Sequence, residues 1–261
     1  MYQTIMAEAK DKVGRITLSR EERRNAISPT MMTELLDAFR EYDDDSDILA
    51  IVLTGAGSKV FCAGADFGES MGATSSFLDR YEGQRKFVEL FKIIKGLKKP
   101  LVGRINGHAL GGGLGLASAC DIVIAAEDCR FGTPEINVGL FPYVIMATLI
   151  RFSSAPKRLL EMMLIGERLD AKEALQLGLV NYVVPRDQLD AKVDEIAGKI
   201  VKKSPAILRL GRRAFYTMRD MEYEKALEYL CSMLAINTMA EDVAEGIAAF
   251  MEKREPEWKG K

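Results

Sequence analysis

Residues Ile105–Pro142 read INGHALGGGLGLASACDIVIAAEDCRFGTPEINVGLFP, and their order decides the fold. The stretch opens at the end of an apolar run, Pro100–Ile105, whose composition suits a buried strand. It passes through Gly111-Gly112-Gly113 into a small-residue segment, Leu114–Cys120, that reads as the start of a helix. A second apolar run, Asp121–Ala126, follows, and then Phe131-Gly132-Thr133-Pro134-Glu135. A glycine triplet at a strand-to-helix junction leaves backbone N–H groups unpaired at a helix N-terminus, where they favour an anion or a developing negative charge. Glu135 is a lone carboxylate after the second strand. Donors for an oxyanion and one acid/base group are the minimum for enolate chemistry.

Working outward, the upstream sequence alternates element types. Val13–Leu18 (VGRITL) has strand periodicity, and Arg20–Ser28 is a polar loop. Ser28-Pro29 predicts a helix N-cap with proline in the first turn, and Met32, Leu35, Leu36 and Phe39 form one apolar face. Ile48–Thr54 is nearly all apolar, as expected of a strand covered on both faces. Phe61–Asp66 (FCAGAD) is a second small-residue loop, and the polar stretch from Ser70 to Ser76 is expected to be mobile. Tyr81–Leu97 is an amphipathic helix stopped before Pro100. Strands and helices alternating in this way predict an α/β layered core with crossover connections. Downstream of Pro142 the pattern is mostly helical, with Asp170 capping Ala171–Leu177 and a short extended piece at Val180–Val184. Leu189–Lys202, Pro205–Met218 and Met221–Lys253 read as long amphipathic helices. The expected organisation is a core over 1–195 and a helical lobe over 196–261.

Composition narrows the function. With 36 basic and 38 acidic residues the net charge is −2, so no nucleic-acid-binding surface is indicated. No apolar run reaches the roughly 18 residues a membrane span needs, and no signal peptide is recognisable, so a cytoplasmic protein is expected. Cys62, Cys120, Cys129 and Cys231 lack C-x-x-C spacing, and His108 is the single histidine, so no metal site is expected. The P-loop pattern is absent, since Gly55-Ala56-Gly57-Ser58-Lys59 has the wrong order. The dinucleotide fingerprint fails after Gly113-Leu114-Gly115. What remains is two Gly/Ala loops, 61–66 and 107–113, that each follow a strand. Taken singly, each is equally a tight strand–helix turn that needs small residues; together they permit close approach of a ligand to the backbone.

These segments resemble the crotonase superfamily, the enoyl-CoA hydratase/isomerase family of acyl-CoA enzymes. The likeness runs through RRNAIS, FCAGADF, NGHALGGGLGLASACDIVIAAE, FGTPEINVGLFP, LIGERLDAKEALQLGLVNYVV and EGIAAFMEKREPEW, nearly the whole chain. The resemblance implies a spiral of ββα turns with C-terminal helices that build homotrimers or homohexamers. It implies an oxyanion hole from the backbone N–H groups of Ala65 and Gly112, with Glu135 as acid/base. Coenzyme A, carried by the substrate and not a separate cofactor, would lie along Arg24, Ala26 and the segment Ala63, Ala65, Asp66 and Phe67. Phe250 and Lys253 would approach its adenine and phosphate ends, in some relatives from a neighbouring subunit.

Two departures carry weight. Family hydratases generally hold a second glutamate two residues after the glycine triplet, where this chain has Gly115. One base suffices to move a proton between the α and γ carbons of an enoyl-CoA, so the balance shifts from hydration towards Δ3-Δ2 isomerisation. A decarboxylase, a thioesterase or a non-catalytic CoA-binding member are the alternatives. The second departure is Tyr143-Val144-Ile145-Met146 in place of a glycine-rich stretch, which would line or narrow the acyl pocket. Tyr143 is either a proton donor or a packed aromatic. Arg24 is either a phosphate partner or a solvated loop residue. Asp66 and His108 read as structural.

Overall fold

The computed structural model describes residues 2–70 and 76–261; the polar stretch expected to be mobile falls mostly on residues 71–75, outside the described residues. The chain starts with a hairpin, β1 (Ile5–Lys10) and β2 (Val13–Leu18), closed by Asp11 and Lys12 with φ of 50° and 66°. Positive φ at both central residues is the turn geometry that matches strand twist. The sequence pattern does not announce β1, because Ile5 is its single buried residue.

Helix α1 (Pro29–Asp44) begins as predicted: the Ser28 hydroxyl accepts a hydrogen bond from the Met31 N–H at 3.1 Å. Met31, Leu35 and Phe39 go into the core with no exposed surface. Ser28→Ala is expected to lower stability by about 1 kcal/mol. Denaturant unfolding checks this, and an unchanged midpoint would mean that the cap contributes nothing.

Three turns of the chain then repeat one plan. β3 (Ala50–Gly55) and β4 (Val60–Cys62) lead, through the short α2 (Phe67–Ser70), to α3 (Phe77–Gly96). β5 (Leu101–Ile105) and β6 (His108–Leu110) lead to α4 (Gly112–Ala119). β7 (Ile122–Ala126) and β8 (Arg130–Gly132) lead through a 3-10 turn, Pro134–Val138, to α5 (Tyr143–Phe152). In each turn the first strand joins one sheet, the second joins another, and a helix closes the turn. After α6 (Pro156–Ile165), β9 (Arg168–Asp170), α7 (Ala171–Gln176) and β10 (Tyr182–Val184) complete the sheets. Among the described residues, one sheet runs β1-β2-β3-β5-β7-β10 and the other β4-β6-β8-β9. All six residues of β3 are buried, which explains its unbroken apolar run. The ββα spiral over an α/β core is the architecture the sequence predicts.

The remaining helices are α8 (Leu189–Val201), α9 (Pro205–Met218), α10 (Tyr223–Thr238) and α11 (Glu241–Glu252). Residue 195, the expected edge of the core, falls inside α8, which packs on β3, β5 and β7. The single helix expected over Met221–Lys253 is two, broken at Met239-Ala240, where Ala240 is extended (φ −68°, ψ 137°). The break has a polar cause. Asp242, in the first turn of α11, is buried and accepts hydrogen bonds from the Ser204 hydroxyl (2.5 Å) and the N–H groups of Lys259 (2.7 Å) and Gly260. A buried carboxylate must be satisfied, and these partners lie on other segments. No helix among the described residues is long and apolar enough to cross a membrane.

Candidate active site

Parallel strands β4, β6 and β8 are neighbours in the smaller sheet and end at the same edge. Their exits are the segments singled out by sequence: Ala63-Gly64-Ala65 after β4, Gly111-Gly112-Gly113 after β6, and Thr133-Pro134-Glu135 after β8. The carboxyl ends of parallel strands are where such sheets bind ligands. Register makes the meeting obligatory, because the Gly111 N–H donates to the Gly132 carbonyl at 2.8 Å and so ties the two exits together.

The first two exits touch. A Cβ placed on Gly64, whose φ is +96°, would lie 3.1 Å from the Gly112 nitrogen, and one on Gly113 would lie 2.7 Å from Cys62 Cβ. Both positions therefore need glycine. Among the described residues no acceptor takes a hydrogen bond from the N–H of Ala65 or of Gly112. Gly112 opens α4, so its donor is one of those a helix leaves free. Two unpaired backbone donors on adjacent loops are suited to an oxyanion.

Glu135 reaches the same place from the third exit. Pro134 starts its 3-10 turn and Gly139, with φ of 78°, ends it. The carboxylate packs against Gly111, whose added Cβ would fall 2.9 Å from the Glu135 carboxyl carbon. Among the described residues, Glu135 Oε2, Thr133 Oγ1 and Ser118 Oγ are buried without a hydrogen-bond partner. Buried polar atoms are nearly always paired, so an unpaired carboxylate oxygen points to a functional group. Burial raises the Glu135 pKa above its ordinary value. Only the ionised form can accept a proton, so a reaction that uses this carboxylate as its base is expected to lose kcat/KM as pH drops through the raised pKa, at a higher pH than an exposed glutamate would give. A pH–rate profile with its acidic limb at or below the ordinary carboxylate value would contradict this.

Position 115 is closed. A Cβ on Gly115 would lie 2.9 Å from Ile145 Cβ, closer still to Ile145 Cγ2, and 3.0 Å from Phe91 Cζ. Ile145 of α5 and Phe91 of α3 thus fill with hydrocarbon the space a side chain there would need.

Residues 8–261 match the family described as Enoyl-CoA hydratase/isomerase. The chain belongs to the enoyl-CoA hydratase/isomerase family. It is 35% identical over 257 residues to the Mycobacterium tuberculosis protein named "Probable enoyl-CoA hydratase echA8", covering 98% of each chain. It is 32% identical over 260 residues to the short-chain-enoyl-CoA hydratase of Clostridium acetobutylicum, covering 97% of this chain and 96% of that protein. The crystal structure of enoyl-CoA hydratase from Mycobacterium smegmatis superposes with a TM-score of 0.93 at 34% identity, over 98% of this chain and 99% of that one. The fold is therefore the crotonase fold, and the chain is a crotonase-type acyl-CoA enzyme.

In this family member the other predicted site residues fall into distinct groups. Arg24–Ile27 and Ala63–Asp66 form one parallel ribbon: Ala63 N–H donates to Arg24 O, Ile27 N–H to Gly64 O, and Asp66 N–H to Ile27 O. Ala26 is on this ribbon, and Asn25, fully buried, fixes it through Arg20 N–H, Ala56 O and Val60 O. Asp66 is tied down by an ion pair. Its carboxylate is held by Arg20 at 3.0 Å, and Arg20 also donates to the Ala26 carbonyl. Arg20 is a positioning residue that nothing in its polar surroundings REERRN distinguishes. The Phe67 side chain lies outside what the structure describes.

Arg24 and Ala63 border a cleft of about 490 Å³ together with Lys59, His108, Arg168 and Arg186. Asp128 engages Arg186 at 2.8 Å, whereas Arg24, Lys59 and Arg168 have no carboxylate partner among the described residues. His108, read from sequence as structural, accepts from the Arg130 N–H through Nδ1 at 3.2 Å, which leaves Nε2–H as a donor. Burial and Arg168 lower its pKa, so it is a neutral donor at neutral pH. Sequence gave no sign of Arg168 and Arg186, which come from distant segments. Tyr143 is 71% exposed, with its ring 5.4 Å from Phe141. Phe250, 82% exposed, borders a separate groove between α9 and α11 with Ile247 and Trp258, and Lys253 caps α11 in the left-handed conformation. Phe250 thus borders a different groove from the cleft beside Arg24. Among the described residues no three His, Cys, Asp or Glu side chains are grouped to hold a metal ion.

Proposed function

We propose that the chain is an enoyl-CoA isomerase that moves a proton between the α and γ carbons of a 3-enoyl-CoA through one carboxylate. The ionised Glu135 takes a proton from the α carbon, and the electron pair passes to the thioester oxygen. The N–H groups of Ala65 and Gly112 hold that oxygen as the dienolate forms. Protonated Glu135 returns the proton to the γ carbon, and the double bond moves into conjugation. The closure of position 115 by Ile145 and Phe91 carries this reading. Hydration needs a water held and activated while a proton reaches carbon; the place where the family's second acid stands is hydrocarbon here.

The coenzyme A portion would run along the Arg24–Ile27 and Ala63–Asp66 ribbon, with its phosphates at the Arg24, Lys59 and Arg168 cleft, where charge-assisted bonds are the strong ones. Assembly into trimers or hexamers is part of the proposal. It rests on the apolar surface of the last helices, where Tyr223, Leu234, Met239, Ile247 and Met251 are each at least 62% exposed. In such an assembly Phe250 and Lys253 would complete a neighbour's coenzyme site. No cofactor beyond the substrate's coenzyme A enters the mechanism, and the compartment proposed is the cytoplasm, in keeping with four free thiols.

The names of the relatives favour hydration as the second reading. Incubating the protein with a 2-enoyl-CoA and, separately, a 3-enoyl-CoA in D2O, with mass spectrometry of the products, separates the two. Conversion of the 3-enoyl to the 2-enoyl thioester without a gain of water is the expected result. A gain of one water by the 2-enoyl substrate as the main reaction would overturn it.

A further inference from the structure

The direction of the Ala65 N–H follows from one bridge. The Ile27 N–H donates to the Gly64 carbonyl at 2.7 Å, and the Ile27 carbonyl accepts from the Asp66 N–H at 3.0 Å. In a parallel ladder the residue between two such bonds turns its own N–H and carbonyl to the opposite edge. The Ala65 N–H therefore points away from Ile27, and Ala65 is exposed while Gly64 and Ile27 are buried. The bridge is isolated and lies outside both sheets, so no neighbouring rungs steady it. A side chain clamps its two segments together.

That side chain is Arg20. Its guanidinium donates to the Ala26 carbonyl (2.9 Å) on one segment and to the Asp66 carboxylate (3.0 Å) on the other, so one planar group spans the ribbon. The second terminal nitrogen donates to Glu69 at 2.5 Å, and the Glu69 N–H donates to the other Asp66 oxygen at 3.3 Å. These contacts close a ring through the start of α2. The Arg20 and Asp66 side chains are nearly buried, at 10% and 11% exposure. The Arg20 backbone is fixed as well: its N–H donates to the Asn25 side chain at 3.0 Å, and its carbonyl accepts from the Asn25 N–H at 2.8 Å. A guanidinium fork meets three acceptors at once, which the single point of an ammonium does not match.

We propose that Arg20 sets the direction of the Ala65 N–H, and through it the strength of the oxyanion hole, without touching the substrate. The proposal rests on the acyl-CoA reading with Ala65 and Gly112 as the donors. Asp66 follows Ala65 directly, so a shift of its carboxylate is carried to the donor one residue away. A hydrogen bond weakens steeply once bent, and losing one oxyanion donor outright lowers kcat by about 100- to 1000-fold. A misdirected donor forfeits part of that, and the loss falls on kcat more than on KM.

The test is infrared difference spectroscopy of butyryl-CoA, labelled with 13C at the thioester carbonyl and bound at saturation to the full chain. This thioester has no double bond to move, and two donors on its oxygen lower the carbonyl stretch. Arg20→Lys should return the band part of the way towards that of the free thioester, and Arg20→Met further. With an enoyl-CoA, kcat of Arg20→Met should fall at least about tenfold while KM stays within about twofold. Arg212 supplies the control: it is also nearly buried, pairs with Asp121 at 2.8 Å and donates to the Ile94 carbonyl at 2.7 Å. Arg212→Lys should lower the melting temperature and leave the band in place. Arg20 variants that melt lower but keep the band and kcat would overturn the proposal, and so would an equal band shift in Arg212→Lys. If Arg20→Met fails to fold, Arg20→Lys decides. An unshifted band in the unmodified protein would overturn the donor assignment together with the proposal, and failure to bind would overturn the acyl-CoA reading, so the three failures are distinguishable.

Discussion

Glu135→Gln is expected to lower turnover of an enoyl-CoA by at least about 100-fold while leaving affinity for the thioester nearly unchanged. The substitution keeps shape and volume but removes the basic site. Glu135 Oε2 is buried without a partner, so that oxygen loses no hydrogen bond in the change. The carboxylate also lies against the glycine at the mouth of α4, apart from the cationic cleft beside Arg24 and Lys59 that would hold the coenzyme. Steady-state kinetics paired with calorimetry reads both quantities. A variant that keeps the normal rate would remove Glu135 from the mechanism. One that loses rate and binding together would make it a structural residue.

The second large effect is expected from Gly111→Ala. Gly111 has φ 52° and ψ −125°, a conformation closed to residues with a Cβ, and forcing such a residue there costs about 1–3 kcal/mol. The added methyl would also fall 2.9 Å from the Glu135 carboxyl carbon and nearer still to Oε1, so the carboxylate must move. The variant should be destabilised by that amount, and its turnover should fall as far as that of Glu135→Gln. Gly139→Ala is the comparison: its φ is +78° but nothing stands within 4 Å of the added methyl, so backbone strain acts there without a clash. Thermal unfolding of both variants, with rates, separates strain from displacement. Gly111→Ala with unchanged melting and rate would show that the carboxylate does not depend on this contact.

The parts of the molecule legible from sequence are those fixed by local chemistry. Ser28-Pro29 predicts the start of α1 because a cap is decided by adjacent residues. The strands at 13–18 and 101–105 and the glycine turn at 111–113 are equally local. The break at Met239-Ala240 was not legible, since its cause is Asp242 meeting Ser204, Lys259 and Gly260 across the fold. β1 was missed because one buried residue makes no pattern. In the candidate site, Gly115 stood out in the sequence where the resemblance led one to expect an acid, but that Ile145, thirty positions on, occupies its space did not. The clasp of Arg20 on Asp66 and the convergence of Arg168 with Lys59 are likewise products of register between strands and loops far apart in the chain.

The contact between Gly115 and Ile145 also couples the two positions. An acid arriving at 115 would meet a filled core before it met a substrate, and overpacking of that kind destabilises by about 1–3 kcal/mol before any buried charge is counted. Trimming Ile145 first would leave a cavity with no chemistry to reward it. Each single step is therefore unfavourable, and a carboxylate at 115 requires both changes at once. In this packing a large side chain at 145 and any acid at 115 are mutually exclusive, so the two positions act as one unit.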